Sequence, residues 1–268
     1  MRPPIKSIFF RLLPCVVLAS CATKDPVLQI TTIKVDSLAQ IRLVADSLVK
    51  PIVYTQVRGL ENQPVQKAKH LFISIVLPSI LISKHHLETE RKKVHRLKGK
   101  KKWSREDSAY YHRLKLQFKA SDMENLLMRM VTVPNSIVLA QAAVESGWGQ
   151  SRFFVEGNNV FGMWSYRKDE ARLPARSKRE GGTVHVRAYD DISKSIADYF
   201  KTLGSARAYR GLRNALQETH DPFSLLPYLK YYSERRTEYT EQLRKIIMIN
   251  DLTKYDNYIL DPQYLVAP

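Results

Sequence analysis

Glu145 is the residue whose type and surroundings point most clearly to chemistry. It belongs to the stretch LAQAAVESGWGQSRF, from Leu139 to Phe153, in which small and apolar residues favour a helix that Gly147 can end. Pro134 suits the first turn of that helix. Residues three and four apart share a helix face, so the carboxyl group of Glu145 is expected beside the apolar stripe and not opposite it.

The expected surroundings of Glu145 raise the pKa of its carboxyl group. Apolar neighbours disfavour the charged form, and the negative end of the helix dipole disfavours it further. A carboxyl group that keeps its proton near neutral pH can act as a general acid and protonate the leaving oxygen of a glycosidic bond. The alternative interpretation is an ordinary surface glutamate at a helix end.

The longer motif LAQAAVESGWGQSRFFVEGNNVFGMW resembles the core of glucosaminidase domains that cleave peptidoglycan, glycoside hydrolase family 73. The order of segments is most similar to the Bax-type branch of that family, and the likeness extends from about Gln66 to Asp251. The resemblance implies an α+β, mainly helical, lysozyme-like fold, with a helical body, a small β-hairpin and a cleft between them. It also implies hydrolysis of the β-1,4 bond after N-acetylglucosamine.

The resemblance assigns roles to individual residues of the motif. Glu145 corresponds to the catalytic acid, and Trp148 corresponds to the motif tryptophan. The main role expected for Trp148 is packing, and its second expected role is stacking on sugar. The predicted substrate-binding residues are Trp148, Asn158, Asn159, Phe161 and Gly162. An alternative for the two asparagines is that their amides only hold the loop through backbone hydrogen bonds.

Two further catalytic residues are expected across the cleft. In the segment YYSERRTEY, Tyr232 is the best match to the family's cleft tyrosine and Tyr239 is expected to be its packing partner. The second carboxylate of the family comes from a hairpin, where this chain offers Asp169, Glu170 and Glu180. Glu180, at the predicted hairpin turn, is preferred. Whether the reaction inverts, retains or uses the substrate's acetamido group stays open.

The N-terminus has the layout of a secretory signal: a basic start, a short apolar segment and LASC, ending at Cys21. A small residue before a cysteine resembles the lipobox of bacterial lipoproteins, which predicts lipidation of Cys21. The alternatives are a plain signal peptide and a buried apolar N-terminus whose two cysteines have no function. The only other cysteine, Cys15, would be removed with the signal. Ala22 after Cys21 favours an exported protein anchored in the outer membrane and facing the periplasm.

Pattern and composition, together with what the family resemblance implies, divide the chain into five predicted segments. Residues 1–20 are predicted as the signal peptide, 21–63 as a lipidated tether, 64–130 as an N-terminal helical extension, 131–251 as the catalytic domain and 252–268 as a tail. In the tether, Ser37–Val49 has helical spacing. The apolar run Leu71–Ser83 is too short to cross a bilayer and contains Pro78, so a buried core helix is expected. Helices are also expected at Ser104–Phe118 and Ser121–Met130.

The net charge of the chain limits the classes of partner that it is expected to bind. Lys and Arg number 43 against 26 Asp and Glu, a net charge of +17 that attracts polyanions, including a wall polymer whose stem peptides carry carboxylates. Two rival functions are a glycan-binding module that no longer cuts and a nucleic-acid-binding protein. No nucleic-acid reading motif is recognised, and the export signal argues against the second rival. No cofactor or metal is expected, since His85, His86 and His185 lack ligand spacing, and a monomer is predicted.

Overall fold

The computed structural model describes residues 26–179 and 182–267, so Cys21 and Glu180 lie outside the described residues. Most of the described chain is helical. The α-helices are α1 (Val65–Lys98), α2 (Arg105–Gln117), α3 (Met123–Arg129), α4 (Asn135–Ser146), α5 (Arg152–Gly157), α6 (Ile192–Ser205), α7 (Arg210–Ala215), α8 (Pro222–Leu225) and α9 (Thr237–Ile249). Short 3-10 helices occupy Leu38–Gln40, Leu60–Asn62, Arg207–Tyr209, Leu226–Tyr232, Leu252–Asn257 and Pro262–Tyr264.

The strands are short and form small, separate ladders. They are β1 (Val27–Leu28), β2 (Thr31–Lys34), β3 (Leu48–Val49), β4 (Ile52–Thr55), β5 (Trp164–Ser165), β6 (Arg172–Arg179), β7 (Gly182–Arg187), β8 (Ile259–Leu260) and β9 (Leu265–Val266). The hairpin strands β6 and β7 pair antiparallel, and β5 adds to the other edge of β7. The predicted class, α+β and mainly helical with a small hairpin, is confirmed.

Helix α1 lies at the centre of the body and packs against both α4 and α6. Its apolar middle is almost fully buried, with Phe72, Ile75 and Ile80 each at 0% exposure. By length and composition α1 could cross a membrane, but 72% of its most apolar 18-residue window is buried in the protein. The predicted core helix at Leu71–Ser83 is therefore confirmed.

Side-chain caps in the sequence determine where two further helices begin. Ser104 caps α2, where its hydroxyl accepts a hydrogen bond from the Asp107 amide at 3.1 Å and the Asp107 carboxylate accepts one from the Ser104 amide at 3.2 Å. Helix α3 is shorter than predicted and begins after Asp122, whose carboxylate accepts a hydrogen bond from the Asn125 amide. These side-chain caps satisfy amides that have no partner within the helix.

The described part of the predicted tether is folded, which corrects the prediction for residues 21–63. Strand β2 pairs in parallel with β4, and Val35, Ile41 and Val49 are buried in the core. The predicted helix over Ser37–Val49 is also wrong. Ser37 and Gln40 close a single 3-10 turn by reciprocal capping, and the chain then becomes extended at Ile41. Extended backbone lets these apolar side chains reach the core.

The predicted C-terminal tail, residues 252–268, is also part of the body over its described residues. Leu252 and Tyr255 are buried. Strand β8 pairs in parallel with β3, and β9 pairs antiparallel with β1, so the two ends of the described chain meet. Asn135, at the start of α4, donates a hydrogen bond from its side chain to the Tyr255 carbonyl at 2.7 Å.

One continuous apolar cluster joins all of these segments. It contains residues from Val35 to Tyr255, including the buried faces of α1, α4, α6 and α9. The helices predicted for residues 64–130 are present, but α1 shares this core with α4. This range therefore does not stand apart as an extension of a separate catalytic domain. The shared core fixes the position of the last turn of α4, where Glu145 lies.

Candidate active site

Helix α4 holds Glu145 at the edge of the core. Ile137, Val138 and Ala140 earlier in the helix are fully buried, while Glu145 is half-buried. Gly147 ends the helix in the left-handed conformation, with φ 57° and ψ 48°, as predicted from the sequence. The apolar face thus anchors the helix, and its last turn presents the carboxyl group of Glu145 toward a groove.

Burial raises the pKa of the Glu145 carboxyl group above its ordinary value. Two weaker effects oppose this shift. The Tyr239 hydroxyl donates a hydrogen bond to Glu145 Oε1 at 2.8 Å, and the positive charge of Arg235 favours the carboxylate. The predicted direction of the pKa shift is confirmed, and its main cause is desolvation.

A buried chain of hydrogen bonds leads from α6 to Glu145. The Tyr199 hydroxyl donates to Gln141 Oε1 at 2.6 Å, and Gln141 Nε2 donates to the Tyr239 hydroxyl at 2.9 Å. Since Tyr239 accepts from Gln141, its own proton is directed to Glu145. Tyr199, Gln141 and Tyr239 are each at 0% exposure. The direction of donation along this chain is therefore fixed by the fold.

The tyrosine in contact with Glu145 is Tyr239, which the sequence suggested only as a packing partner. Tyr232, predicted as the catalytic tyrosine, stacks on Tyr239 with ring centroids 5.8 Å apart and an interplanar angle of 7°. Tyr232 lines the groove beside Glu145. The two rings together form one aromatic wall, and only the hydroxyl of Tyr239 is hydrogen-bonded to the acid.

The groove in front of Glu145 has a volume of about 550 Å³ and separates the helical body from the hairpin sheet. The body side is lined by Glu145, Asp198, Thr202, Tyr209 and Tyr232, and the sheet side by Phe161, Gly162, Met163, Trp164, Tyr166 and Arg187. Trp164 and Tyr166 are 40% and 80% exposed. This is the helical body, hairpin and intervening cleft that the lysozyme-like prediction describes.

The sequence prediction missed Trp164 and Tyr166 as groove residues. The segment FGMWSY follows directly after the two asparagines, and exposed aromatic side chains in such a segment are a signal for binding. Of the predicted binding residues, Phe161 and Gly162 do line the groove. Phe161 is only 4% exposed and stacks on Tyr199 at 4.4 Å, so its ring mainly supports the groove floor.

Trp148, Asn158 and Asn159 are not among the residues that line the groove, and their role in substrate binding stays a prediction. Trp148 packs edge-on against Phe72 at 5.5 Å, and Lys69 lies over its ring. These contacts agree with the packing role expected for Trp148.

The two asparagines hold the loop that forms the groove floor. Asn158 adopts the left-handed conformation at the end of α5, and its amide donates to the carbonyls of Tyr189 and Asp190. Asn159 is 1% exposed; its amide donates to the Arg187 carbonyl at 2.8 Å and accepts from the Met163 amide at 3.0 Å. Their amides therefore fix the floor against the hairpin, which is the alternative that the sequence left open.

The second carboxylate predicted from the sequence, Glu180, lies outside the described residues. Of the other two candidates, Asp169 is exposed and paired with Arg167, and Glu170 lies beside Arg187 at 3.4 Å. The described carboxylate that shares the groove with Glu145 is Asp198.

Asp198 was missed by the sequence prediction because an acid within the helical pattern SIADYF is indistinguishable from a solvent-facing one. It forms an ion pair with Arg187 and accepts a hydrogen bond from the Tyr189 hydroxyl at 2.7 Å. This pairing ties the base of the hairpin to α6. Among residues 26–179 and 182–267, no group of three or more His, Cys, Asp or Glu is arranged to hold a metal ion.

A carboxyl group with a raised pKa beside an open groove is the arrangement that acid-catalysed glycoside hydrolysis requires. Residues 122–252 match the glucosaminidase family model, described as mannosyl-glycoprotein endo-beta-N-acetylglucosaminidase. The matched range covers just under half of the chain and contains α4 and the whole groove. It supports the glucosaminidase family predicted from the motif and, with it, a hydrolase.

The chain is also similar to individual proteins and solved structures. Protein bax of Escherichia coli K12 is 26% identical over 190 residues, which are 65% of this chain and 67% of that protein. The catalytic domain of the autolysin Auto from Listeria monocytogenes gives a TM-score of 0.39 at 20% identity, over 62% of this chain and 97% of that domain. A peptidoglycan hydrolase from Sphingomonas sp. A1 gives 0.38 at 22% identity, over 53% and 92%.

Proposed function

We propose that the protein is a peptidoglycan hydrolase that cleaves the β-1,4 glycosidic bond after N-acetylglucosamine. The observation that carries the proposal is Glu145: a half-buried carboxyl group with a raised pKa, on the wall of a groove open enough for a polymer. The family match over residues 122–252 supports the substrate class.

In the proposed mechanism, protonated Glu145 gives its proton to the leaving oxygen of the scissile bond. The hydrogen bond from Tyr239 holds the carboxyl group in one orientation and stabilises the carboxylate that remains. Trp164 and Tyr166 present exposed ring faces on which sugar rings can stack, and Tyr232 orients the sugar from the opposite wall. Glu180, the second carboxylate preferred from the sequence, activates the water.

The decisive experiment compares wild type with Glu145→Gln on purified sacculi. The variant removes the transferable proton and keeps the size of the side chain, so we expect the rate of glycan cleavage to fall by about 10²–10⁴-fold. Glu156→Gln is the matched control, because Glu156 forms an exposed ion pair with Arg152 on α5 and does not line the groove. Mass spectrometry of the wild-type products should show fragments that end in reducing N-acetylglucosamine.

Three outcomes contradict the proposal. Fragments that end in reducing N-acetylmuramic acid define a muramidase. Unchanged cleavage by Glu145→Gln removes this residue from the chemistry. Binding to sacculi without release of new reducing ends by wild type makes the protein a glycan-binding module.

The second carboxylate has its own pair of variants. Glu180→Gln should abolish cleavage if Glu180 supplies the group that activates water. Asp198→Asn should act mainly through the hairpin base, because Asp198 is engaged by Arg187 and Tyr189. Loss of cleavage in Asp198→Asn, with Glu180→Gln fully active, would instead transfer that role to Asp198.

We also propose export and lipid anchoring at Cys21, which would hold the enzyme at the outer membrane facing its substrate. The proposal depends on the LASC segment and on the basic, then apolar, start of the chain. Radiolabelled palmitate should enter wild type and Cys15→Ala but not Cys21→Ala. Equal labelling of both cysteine variants, or none in wild type, refutes the lipid anchor.

A further inference from the structure

A second groove, which we call the basic groove, lies at the opposite end of α4 from Glu145. It is formed by α1, the end of α3 and the segments that follow α3 and α7, and its volume is about 560 Å³. Thr132, a few residues before α4, lines it. Glu145 lies on the last turn of α4, and this 12-residue helix is about 18 Å long, so the basic groove is separate from the proposed cleavage site.

The charges of the basic groove favour an anionic ligand. The cations that line it are Lys84 and Arg91, against one acid, Glu88, and the imidazoles of His85 and His220 add groups that can form hydrogen bonds. Glu88 is exposed and lies 4.0 Å from the Arg91 guanidinium, so it offsets part of the charge of Arg91 and leaves that of Lys84. The groove therefore keeps a positive potential toward a ligand.

Lys84 is the most informative of these cations. Within residues 26–179 and 182–267, its Nζ has no hydrogen-bond or ion-pair partner, although it lies within the electrostatic range of Asp256. The Asp256 carboxylate is itself engaged by the amide and hydroxyl of Ser136, at 2.7 and 2.8 Å. Burial lowers the pKa of Lys84 to about 8. An anion bound in the groove would supply the partner that this ammonium group lacks.

The uncharged residues that line the basic groove limit the kind of anion that can bind there. Leu127, Met130 and Leu216 on its floor are 8%, 2% and 6% exposed, which suits a small apolar group next to the anion. The lining contains no Phe, Tyr or Trp ring for a sugar or a nucleobase to stack on. A carboxylate beside small apolar side chains, as at the end of a short peptide, fits both the charge and the floor.

We propose that the basic groove binds the carboxylate terminus of a peptidoglycan stem peptide, with Lys84 and Arg91 as its cationic partners. The identity of this ligand rests on the proposed function; the carboxylate site itself does not. Such a site makes the protein recognise glycan that carries peptides over bare glycan, at a distance from the bond that is cut.

The test measures binding of acetyl-D-alanyl-D-alanine to the whole protein by calorimetry, with its C-terminal amide as the neutral control ligand. Wild type should bind the carboxylate at least ten-fold more tightly than the amide. Lys84→Met should weaken carboxylate binding by about ten-fold, which is 1.4 kcal/mol, and leave amide binding unchanged. Lys67→Met makes the same chemical change at an exposed position earlier on α1 and should bind as wild type does.

Arg91→Gln tests the site independently, because Arg91 is exposed and its loss does not disturb the core. It should weaken carboxylate binding even if Lys84→Met proves unstable in a thermal melt. Equal binding of acid and amide by wild type, or full affinity in Arg91→Gln, overturns the proposal. Binding of inorganic phosphate as tight as that of the peptide also overturns it, because the groove would then be a general anion site.

Cleavage assays separate this proposal from the proposed function. On glycan strands stripped of peptides, Arg91→Gln should cleave as wild type does, and on strands with peptides its KM should rise while kcat stays constant. If wild type cuts neither substrate, the hydrolase proposal fails while the result with the peptide probe stands. If wild type cuts both with equal KM, the hydrolase proposal stands and the stem-peptide site fails.

Discussion

Replacement of Tyr239 by phenylalanine tests whether the buried hydrogen-bond chain controls the acid. The variant removes the hydroxyl that lies 2.8 Å from Glu145 Oε1 and leaves the stacked ring in place. A hydrogen bond to a charged group contributes about 1.5–3 kcal/mol, and one between neutral groups about 0.5–1.5 kcal/mol. The Tyr239 hydroxyl therefore favours ionised over protonated Glu145 by about 1–1.5 kcal/mol.

Loss of that preference raises the pKa of Glu145 by about one unit, at 1.36 kcal/mol per unit. A general acid must be protonated in the free enzyme, so its pKa sets the alkaline limb of the pH profile of kcat/KM. We expect this limb to move upward by about one unit in Tyr239→Phe. Gln141 Nε2 also loses its acceptor, so the free energy of unfolding should fall by about 1–3 kcal/mol.

The assay is release of reducing ends from solubilised glycan across the pH range in which the variant stays folded. Tyr255→Phe removes a hydroxyl from a buried tyrosine near the other end of α4 and serves as the control. An alkaline limb that stays in place in Tyr239→Phe, or moves downward, refutes the reasoning. In either case the hydroxyl would not be stabilising the carboxylate.

Three further predictions concern stability. Burial raises the pKa of Glu145, so ionisation of its carboxyl group destabilises the folded state as pH rises. Glu145→Gln cannot ionise and should therefore melt at a higher temperature than wild type near about pH 8. The difference in melting temperature should be smaller near about pH 4. Gln141→Leu leaves the buried Tyr199 hydroxyl without its acceptor and should lower the urea-derived free energy of unfolding by about 1–3 kcal/mol. Gly204→Ala drives a methyl group into the Arg129 carbonyl oxygen and should cost about 1–3 kcal/mol, whereas Gly99→Ala, whose nearest neighbour is at 3.8 Å, should be near neutral. The first argument is contradicted if the effect of Glu145→Gln does not depend on pH. The second is contradicted if Gln141→Leu is as stable as wild type, and the third if Gly204→Ala is as stable as Gly99→Ala.

The helix that carries Glu145 was predictable because its signals are local. Apolar residues, Pro134 at the start and Gly147 at the end all lie within one short stretch, and the raised pKa follows from that placement. The roles of Tyr232 and Tyr239 were not predictable in the same way. Both belong to one aromatic stack, and the way α9 packs on α4 decides which hydroxyl reaches the acid.

The folding of the predicted tether and tail was missed for a different reason. Each of β1, β3, β8 and β9 has only two residues, and their partners lie at the other end of the chain. Such short strands carry no readable alternation, and their pairing is set by the core beneath them. Trp148 shows a related limit, since the left-handed turn at Gly147 and Trp148 directs the indole onto Phe72 and away from the groove.

The ladder between β1 and β9 places Val27 and Val266 side by side. A few added residues would therefore close the body into a ring, and the exposed loop around Gly99 offers a point at which to reopen it. Such a circular permutant would keep the hairpin, the Glu145 groove and the basic groove while both free ends moved to the α1–α2 loop. In the natural chain, the same ladder keeps β9 next to β1. If β1 is held near a membrane surface, β9 therefore lies at the same distance from that surface.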